Sequence, residues 1–289
     1  MIKNIHESEK DFLDKYDASA FKGPITSVDT VIFTVFDNHL HVLTVKRAEH
    51  PFKDQWSLIG GFINIDEDVD IEATAKRKLK EKTGVRTPYL EQFGTIGNKK
   101  RDPRGWSVTT VYFALIPCDN IQLEAGKGAT DIKWSKITNG KIEDDLAFDH
   151  KEILSNCIER LRSKVLYTSL PVNLAPQYFT LGELQKIYET ILAKKLDHKA
   201  FRRRMLSVNI LEETDKMRQE GRRPAHLYQL KKNSATHYFV RSIEGKRERP
   251  KLRVKSLPRP NPISAYLQKI CPAALQSSSS SVLALPISC

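Results

Sequence analysis

Gly60–Val85 reads GGFINIDEDVDIEATAKRKLKEKTGV. The glycine pair closes a short run, Trp56-Ser57-Leu58-Ile59, and Phe62-Ile63 resume it. Residues 70–83 then follow helical spacing, with Ile71, Ala75 and Leu79 on one stripe. Positions 78, 81 and 82 stand at i, i+3 and i+4, so they share a helix face. Carboxylates so spaced could share a divalent cation. Here the residues are Lys78, Glu81 and Lys82. An ammonium repels the metal, but it pairs with a phosphate oxygen. The plain alternative is a charged surface helix with both lysines solvated, since lysine favours helices. The glycine pair after a strand, Arg77 and the Glu81-x-x-Gly84 ending stand against it.

Upstream, Val28–Phe36 is rich in β-branched and aromatic residues, and His39–Lys46 alternates. The Asp37-Asn38 turn between them makes a hairpin. Downstream, strands are expected at 91–96, 107–116 and 131–135, then an amphipathic helix over 149–163 with Ile153, Ile158 and Leu161 inward. Residues 1–23 read as a polar arm with one helix over 5–16. Residues 24–164 make the first domain. Residues 165–178 hold Pro171 and Pro176 with little periodicity and read as a linker.

A second domain is expected over 179–243. Thr180-Leu181-Gly182-Glu183 is a capping box. Leu184, Ile187, Ile191 and Leu192 follow at helical spacing. Asp197 caps a second helix, His198–Ser207, whose Phe201, Met205 and Val208 face a core. Lys199, Arg202 and Arg203 cluster on its other side, and Arg204 flanks the apolar face. Helix, short turn and basic helix fit helix-turn-helix recognition of DNA. A hairpin with Lys216, Arg218, Arg222 and Arg223 near its tip reads as a wing. Residues 244–289, proline-rich with a serine run at Ser277–Ser281, are expected to be disordered.

Charge divides the same way. Residues 1–150 carry a net −3 and residues 151–289 a net +15. A strongly basic second half points to an acidic partner such as duplex DNA. Sparse aromatic residues argue against a single-strand stacking module. The alternative is a basic domain docking an acidic protein, which the wing and the basic helix face disfavour. Cys118, Cys157, Cys271 and Cys289 form no metal or disulfide pattern. The charged N-terminus and the lack of a long apolar run suggest a cytoplasmic chain that spans no membrane.

Gly60–Val85 resembles the Nudix signature, which implies that positions 78, 81 and 82 stand where the family's glutamates hold Mg²⁺ against a pyrophosphate. Gly61 and Glu67 fit its first spacing; Arg77, Leu79, Glu81, Gly84 and Val85 fit its second, although nine residues separate Glu67 from Arg77 where seven are usual. The whole of 10–243 is similar to the Nudix-related transcriptional regulators of NAD metabolism, the NrtR family. Phe52–Trp56, Arg101–Trp106, Ala147–His150 and Phe179–Leu184 add to the likeness. The resemblance implies an α+β chain: a Nudix α/β/α sandwich followed by a winged helix-turn-helix domain. It implies a homodimeric repressor of NAD-synthesis or salvage genes on a palindromic operator, retuned by ADP-ribose or a related nucleotide.

Candidate ligand residues are Gly60, Gly61, Phe62, Arg77, Lys78, Glu81, Lys82, Arg101 and Arg104. No catalytic or metal residue and no cofactor are expected, and Mg²⁺ enters only with residual hydrolysis. The competing enzyme reading is an ADP-ribose pyrophosphatase with shifted ligands among Asp66, Glu67, Asp68, Glu72 and Glu81.

Overall fold

The computed structural model describes residues 8–17, 20–84, 89–119, 123–126, 128–220, 223–232 and 234–243. The expected tail, Arg222 and Val85 lie outside them, as do the first residues of the expected arm helix. What is described of that helix is α1, Glu9–Lys15, capped by Ser8.

A seven-stranded mixed sheet organises the first part. Its strands are β1 (Ile25–Phe36), β2 (His39–Arg47), β3 (Trp56–Ser57), β4 (Ile59–Phe62), β5 (Tyr89–Asn98), β6 (Ser107–Leu115) and β7 (Ala129–Lys136). β1 is central. It runs parallel to β6 on one side, and on the other it pairs antiparallel first with β4 and then with β2. The β1–β2 turn places Asp37 and Asn38 at positive φ, which short polar side chains tolerate and hairpin twist favours.

Two helices cover the sheet. α2 (Ile71–Thr83) contributes Leu79 to a buried cluster with Ile32, Leu43, Ile59 and Ala114. α3 (His150–Val165) packs Ile153, Leu154, Cys157, Ile158 and Leu161 on the other face, against Val31, Phe33, Val111 and Phe113. Period-2 alternation in the central strands supplies both faces. The expected α/β/α sandwich is the observed one.

The second part is α4 (Leu181–Leu192), α5 (His198–Leu206) and the hairpin β8 (Leu211–Glu220) with β9 (Arg223–Leu230). The strands run further than the basic residues suggest, so Lys216 and Arg218 sit in β8 rather than in a loop. Tyr188, unremarked in the sequence, is wholly buried and meets the Phe201 ring edge-on at 5.2 Å.

The expected linker is packed, not exposed. Leu170–Leu174 forms a 3-10 turn with Leu170, Pro171, Val172 and Leu174 buried. Pro171 fits the first turn positions, and the apolar residues join one core that runs from α3 to Phe179, Leu184 and Phe201. Residues 237–243 also return unexpectedly to the end of α3. His237 accepts from the Ser169 amide at 2.9 Å, and Phe239 donates to the Tyr167 carbonyl at 2.7 Å. Among the described residues, no helix is long and apolar enough to cross a membrane.

Candidate functional site

Gly60 lets β4 pass close to β1, and Gly61 lets α2 lie against β4. A Cβ on Gly60 would overlap the Asp29 carboxylate and stand 2.9 Å from the Val28 carbonyl oxygen. A Cβ on Gly61 would stand 2.6 Å from Lys78 Cε. Asp70 caps α2 by accepting from the Ala73 amide, and Gly84 ends it at φ 65°.

On α2 the charged residues are mutually engaged. Arg77 donates twice to Asp68, at 2.7 and 2.6 Å, and once to Glu81 at 3.0 Å. That fork pins the loop after β4 to the helix. It holds the Asp68 carboxyl well below the usual carboxylate range, against the upward push of burial. Lys78 pairs with Glu81 at 2.9 Å. Burial would raise the Glu81 pKa, but the bonds from Lys78 and Arg77 outweigh it and lower it. Lys82 is buried and donates to the Ala125 carbonyl. Burial is the main cause of its lowered pKa; Glu81 opposes this, and repulsion from Lys78 adds least.

This donor set does not fit a divalent cation. Two of the three face positions are ammonium groups, and Glu81 already serves two cations. Asp68 is spent on Arg77, and Glu72 pairs with Lys76 at 2.5 Å. Asp66 and Glu67 are exposed on the loop. Among the described residues no three carboxylate, histidine or cysteine groups stand together as a metal site.

A cavity of about 240 Å³ opens beside the glycine pair. Gly60, Gly61, Phe62, Lys82, Arg101 and Arg104 line it, while Arg77, Lys78 and Glu81 do not. Arg101 does not reach out from its loop. It is buried in the wall, donating to Asp29 at 3.1 Å, to Asp149 at 3.0 and 3.2 Å and to Ser107 at 3.3 Å. Arg104 stands at the rim, paired with Asp102 at 2.7 Å and 5.2 Å above the Phe62 ring.

Three wall residues carry chemistry that the sequence reading missed. Arg47 lies 4.8 Å over the Phe148 ring, and its pKa is lowered by burial first and by Arg104 second. Two guanidinium groups close enough to repel form a ready cradle for an anion. His150 is buried and accepts the Leu58 amide at Nδ1, 3.0 Å away, so its proton sits on Nε2 toward Asp29. Burial depresses its pKa although Asp29 and Asp149 pull the other way. Ala147–His150 stood out as a segment; Arg47, at the end of an alternating strand, gave no signal.

The second basic surface lies on α5. Lys199, Arg202 and Arg203 are exposed, while Phe201 and Met205 are buried beneath them. Arg204 is turned inward, 4.1 Å over the Phe239 ring, and donates to the Ser242 and Arg241 carbonyls. Arg218 folds back on α4, pairing with Glu183 at 2.5 Å and donating to the Tyr178 carbonyl. Lys216 lies 4.0 Å over the Tyr178 ring. Arg223 begins β9.

Comparison with known proteins agrees with this geometry. Residues 26–157 match the NUDIX domain, and residues 171–230 match the NrtR DNA-binding winged helix domain. The chain is 44% identical over 237 residues to the ADPR responsive transcriptional repressor NtrR of Acinetobacter baylyi, covering 82% of this chain and 94% of that one. It is similar to the crystal structure of Shewanella oneidensis NrtR complexed with a 27mer DNA, at TM-score 0.71 and 42% identity, over 75% of this chain and 99% of that one. The NUDIX domain of Shewanella oneidensis NrtR, in a cocrystal structure with ADP ribose, is similar at TM-score 0.51 and 43% identity, over 54% of this chain and 99% of that domain. With both of its domains matched in order, the chain belongs to the NrtR family of Nudix-related transcriptional regulators.

Proposed function

We propose that this chain is a cytoplasmic, homodimeric repressor of NAD-synthesis or salvage genes. It binds a palindromic operator and is controlled by ADP-ribose in the cavity beside Gly60. One observation carries the regulatory reading. α3 begins in the cavity wall at His150 and reaches the winged helix at Arg162. At 16 residues it is a strut of about 24 Å. A shift of its first turn therefore moves the base of the reader.

The pyrophosphate of ADP-ribose is placed between Arg47 and Arg104, over the Gly60-Gly61 backbone. The cavity is small beside ordinary ligand pockets of about 300–1,000 Å³. Part of the ligand thus extends over the rim, where the exposed Phe62 ring offers a stacking face. Lys78 and Lys82 leave no carboxylate set for Mg²⁺, so the domain binds without hydrolysing. On DNA, Lys199, Arg202 and Arg203 enter through α5, with the β8–β9 hairpin as the wing.

The test is the affinity for a palindromic promoter fragment from an NAD-synthesis operon, with and without ADP-ribose. A change of about fivefold or more is expected, the lower end of ordinary coupling. Identical affinities would overturn the reading. So would AMP release from ADP-ribose at an ordinary enzyme turnover of about 1–10³ per second.

A further inference from the structure

The wing hairpin carries no net charge. Residues 211–230 hold Glu212, Glu213, Asp215 and Glu220 against Lys216, Arg218, Arg222 and Arg223. Two of those cations are engaged within the chain, Arg218 with Glu183 and Lys216 over the Tyr178 ring. A stronger cationic stretch follows the last described residue, Ile243. Lys246–Lys255 reads KRERPKLRVK, six cations against the single acid Glu248. Within it Arg247, Arg249, Lys251, Arg253 and Lys255 recur at every second position. The starting point of this run is fixed by the fold. Ile243 donates its amide to the Leu166 carbonyl at 2.6 Å, and the Ser242 carbonyl accepts from Arg204 of α5 at 2.8 Å. Arg241, Ser242 and Ile243 line one groove with Ala200, Arg203 and Ser207 of α5. Three residues span at most about 11 Å. Lys246 therefore starts within that reach of Ile243, on the groove that also holds the exposed Arg203.

We infer that Lys246–Lys255 is a second DNA-contacting segment, which grips the phosphates flanking the stretch that α5 reads. The inference rests on the reading of α5 as the helix that meets the duplex. Once α5 docks, the tether makes the second contact intramolecular, at a high effective concentration. Alternate residues of an extended chain share one side, so the five cations from Arg247 to Lys255 can face a single row of phosphates. Such contacts carry no sequence information. They add affinity and salt dependence, supply the charge that the neutral wing lacks, and leave base selection to α5. Duplex DNA is favoured over an acidic protein as the partner because the run leaves the fold beside the basic face of the recognition helix.

The experiment compares the full chain with its variant Arg247→Gln/Arg249→Gln/Lys251→Gln/Arg253→Gln/Lys255→Gln. The substitutions leave every residue up to Ile243 untouched, and a thermal melt confirms folding. Fluorescence anisotropy is read across a salt series on two duplexes, one trimmed to the palindromic operator and one extended by about 10 bp, one helical turn, at each end. On the extended duplex the wild type should show the steeper slope of log affinity against log salt. The difference should be about 0.9 for each phosphate held, up to about 4.5 for five. Operator and scrambled sequences should show the same difference. On the trimmed duplex the two proteins should differ little. Equal slopes on the extended duplex overturn the inference. So does an equal loss on both lengths, which would place the charge away from the flanks. So does a tighter-binding variant, which would mean that the run docks on carboxylates of its own chain, such as Glu212, Glu213 and Asp215, and competes with DNA. A wild type with no preference for operator over scrambled duplex would sink the reading of α5. The slope difference on the scrambled duplex would still decide whether the run holds phosphates.

Discussion

Arg162, on the last helix of the Nudix domain, donates from Nε to the Ile191 carbonyl of the winged helix at 3.1 Å. Ile191 lies in the last turn of α4, where main-chain carbonyls lack helical partners. A cation there also meets the negative end of the helix dipole. The bond therefore ties α3 to the base of the reader at a point where α4 needs a donor.

Arg162→Ala should uncouple the domains more than it harms either. Both ligands should still bind. The factor by which ADP-ribose changes operator affinity should shrink toward one, and the reciprocal effect of DNA on ADP-ribose must shrink equally. Paired titrations read both factors. Full coupling in the variant would show that Arg162 is not on the route.

Arg101 predicts a stability effect rather than a binding effect. Its guanidinium is buried between Asp29 and Asp149, whose side chains are 8% and 18% exposed. Arg101→Ala removes the cation between two carboxylates of the cavity wall and should cost about 3–5 kcal/mol. Adding Asp29→Asn and Asp149→Asn should recover part of the loss. Urea midpoints decide it, and a drop below about 1 kcal/mol would contradict the buried-clamp account.

Asp68 sets an acid limit. Its hydrogen bonds from Arg77 hold its folded pKa far below the unfolded value of about 3.9. A depressed carboxylate contributes stability that is complete above the unfolded value and lost as pH falls through the folded one. The contribution should be flat above about pH 5 and decline below about pH 4. Asp68→Asn should lower stability at neutral pH and flatten the acid limb. An unchanged acid slope in urea melts from pH 3 to 7 would count against the assignment.

Metal should not matter to effector binding. Lys78 and Lys82 occupy the positions where Mg²⁺ would be held, and Glu81 is engaged by Arg77 and Lys78. ADP-ribose affinity should be the same in EDTA as in Mg²⁺. A strong dependence on Mg²⁺ would require ligands outside α2.

The elements were legible because the pattern is local. β-Branched and aromatic content marked β1, alternation marked β2, and a 3.6-residue stripe marked α2 and α3. Capping residues fixed the starts of α4 and α5. The cavity was legible only in part because its wall is assembled from distant segments. Arg47, Phe148 and His150 come together across about a hundred positions of sequence, and no period encodes that meeting. Arg101 and Arg104 lie three apart in one loop, yet one is a buried clamp and the other stands at the rim. The linker misled because its two prolines read as breakers, while Leu170, Val172 and Leu174 were supplying core.

The basic residues of the reader should divide sharply by salt dependence. Each phosphate contact on duplex DNA contributes about 0.9 to the slope of log affinity against log salt. Lys199, Arg202 and Arg203 are exposed on α5, so their triple alanine variant should lose up to about 2.7 from that slope. Arg204 is adjacent in sequence but faces inward, stacked on Phe239 and bonded to the Arg241 and Ser242 carbonyls. Arg204→Ala should leave the slope intact and instead loosen residues 237–243 from α5, which hydrogen exchange at Phe239 and Ile243 would detect. Arg218 is held by Glu183 and should contribute little unless DNA releases it. Any of the three α5 cations that also reads guanine should cost about 1–3 kcal/mol at one base position only. Fluorescence anisotropy across a salt series, on operator and scrambled duplexes, separates these cases. A triple variant with an unchanged slope would mean that α5 does not face the DNA. An Arg204 variant that alone lowers the slope would mean that the inward clip opens when DNA binds.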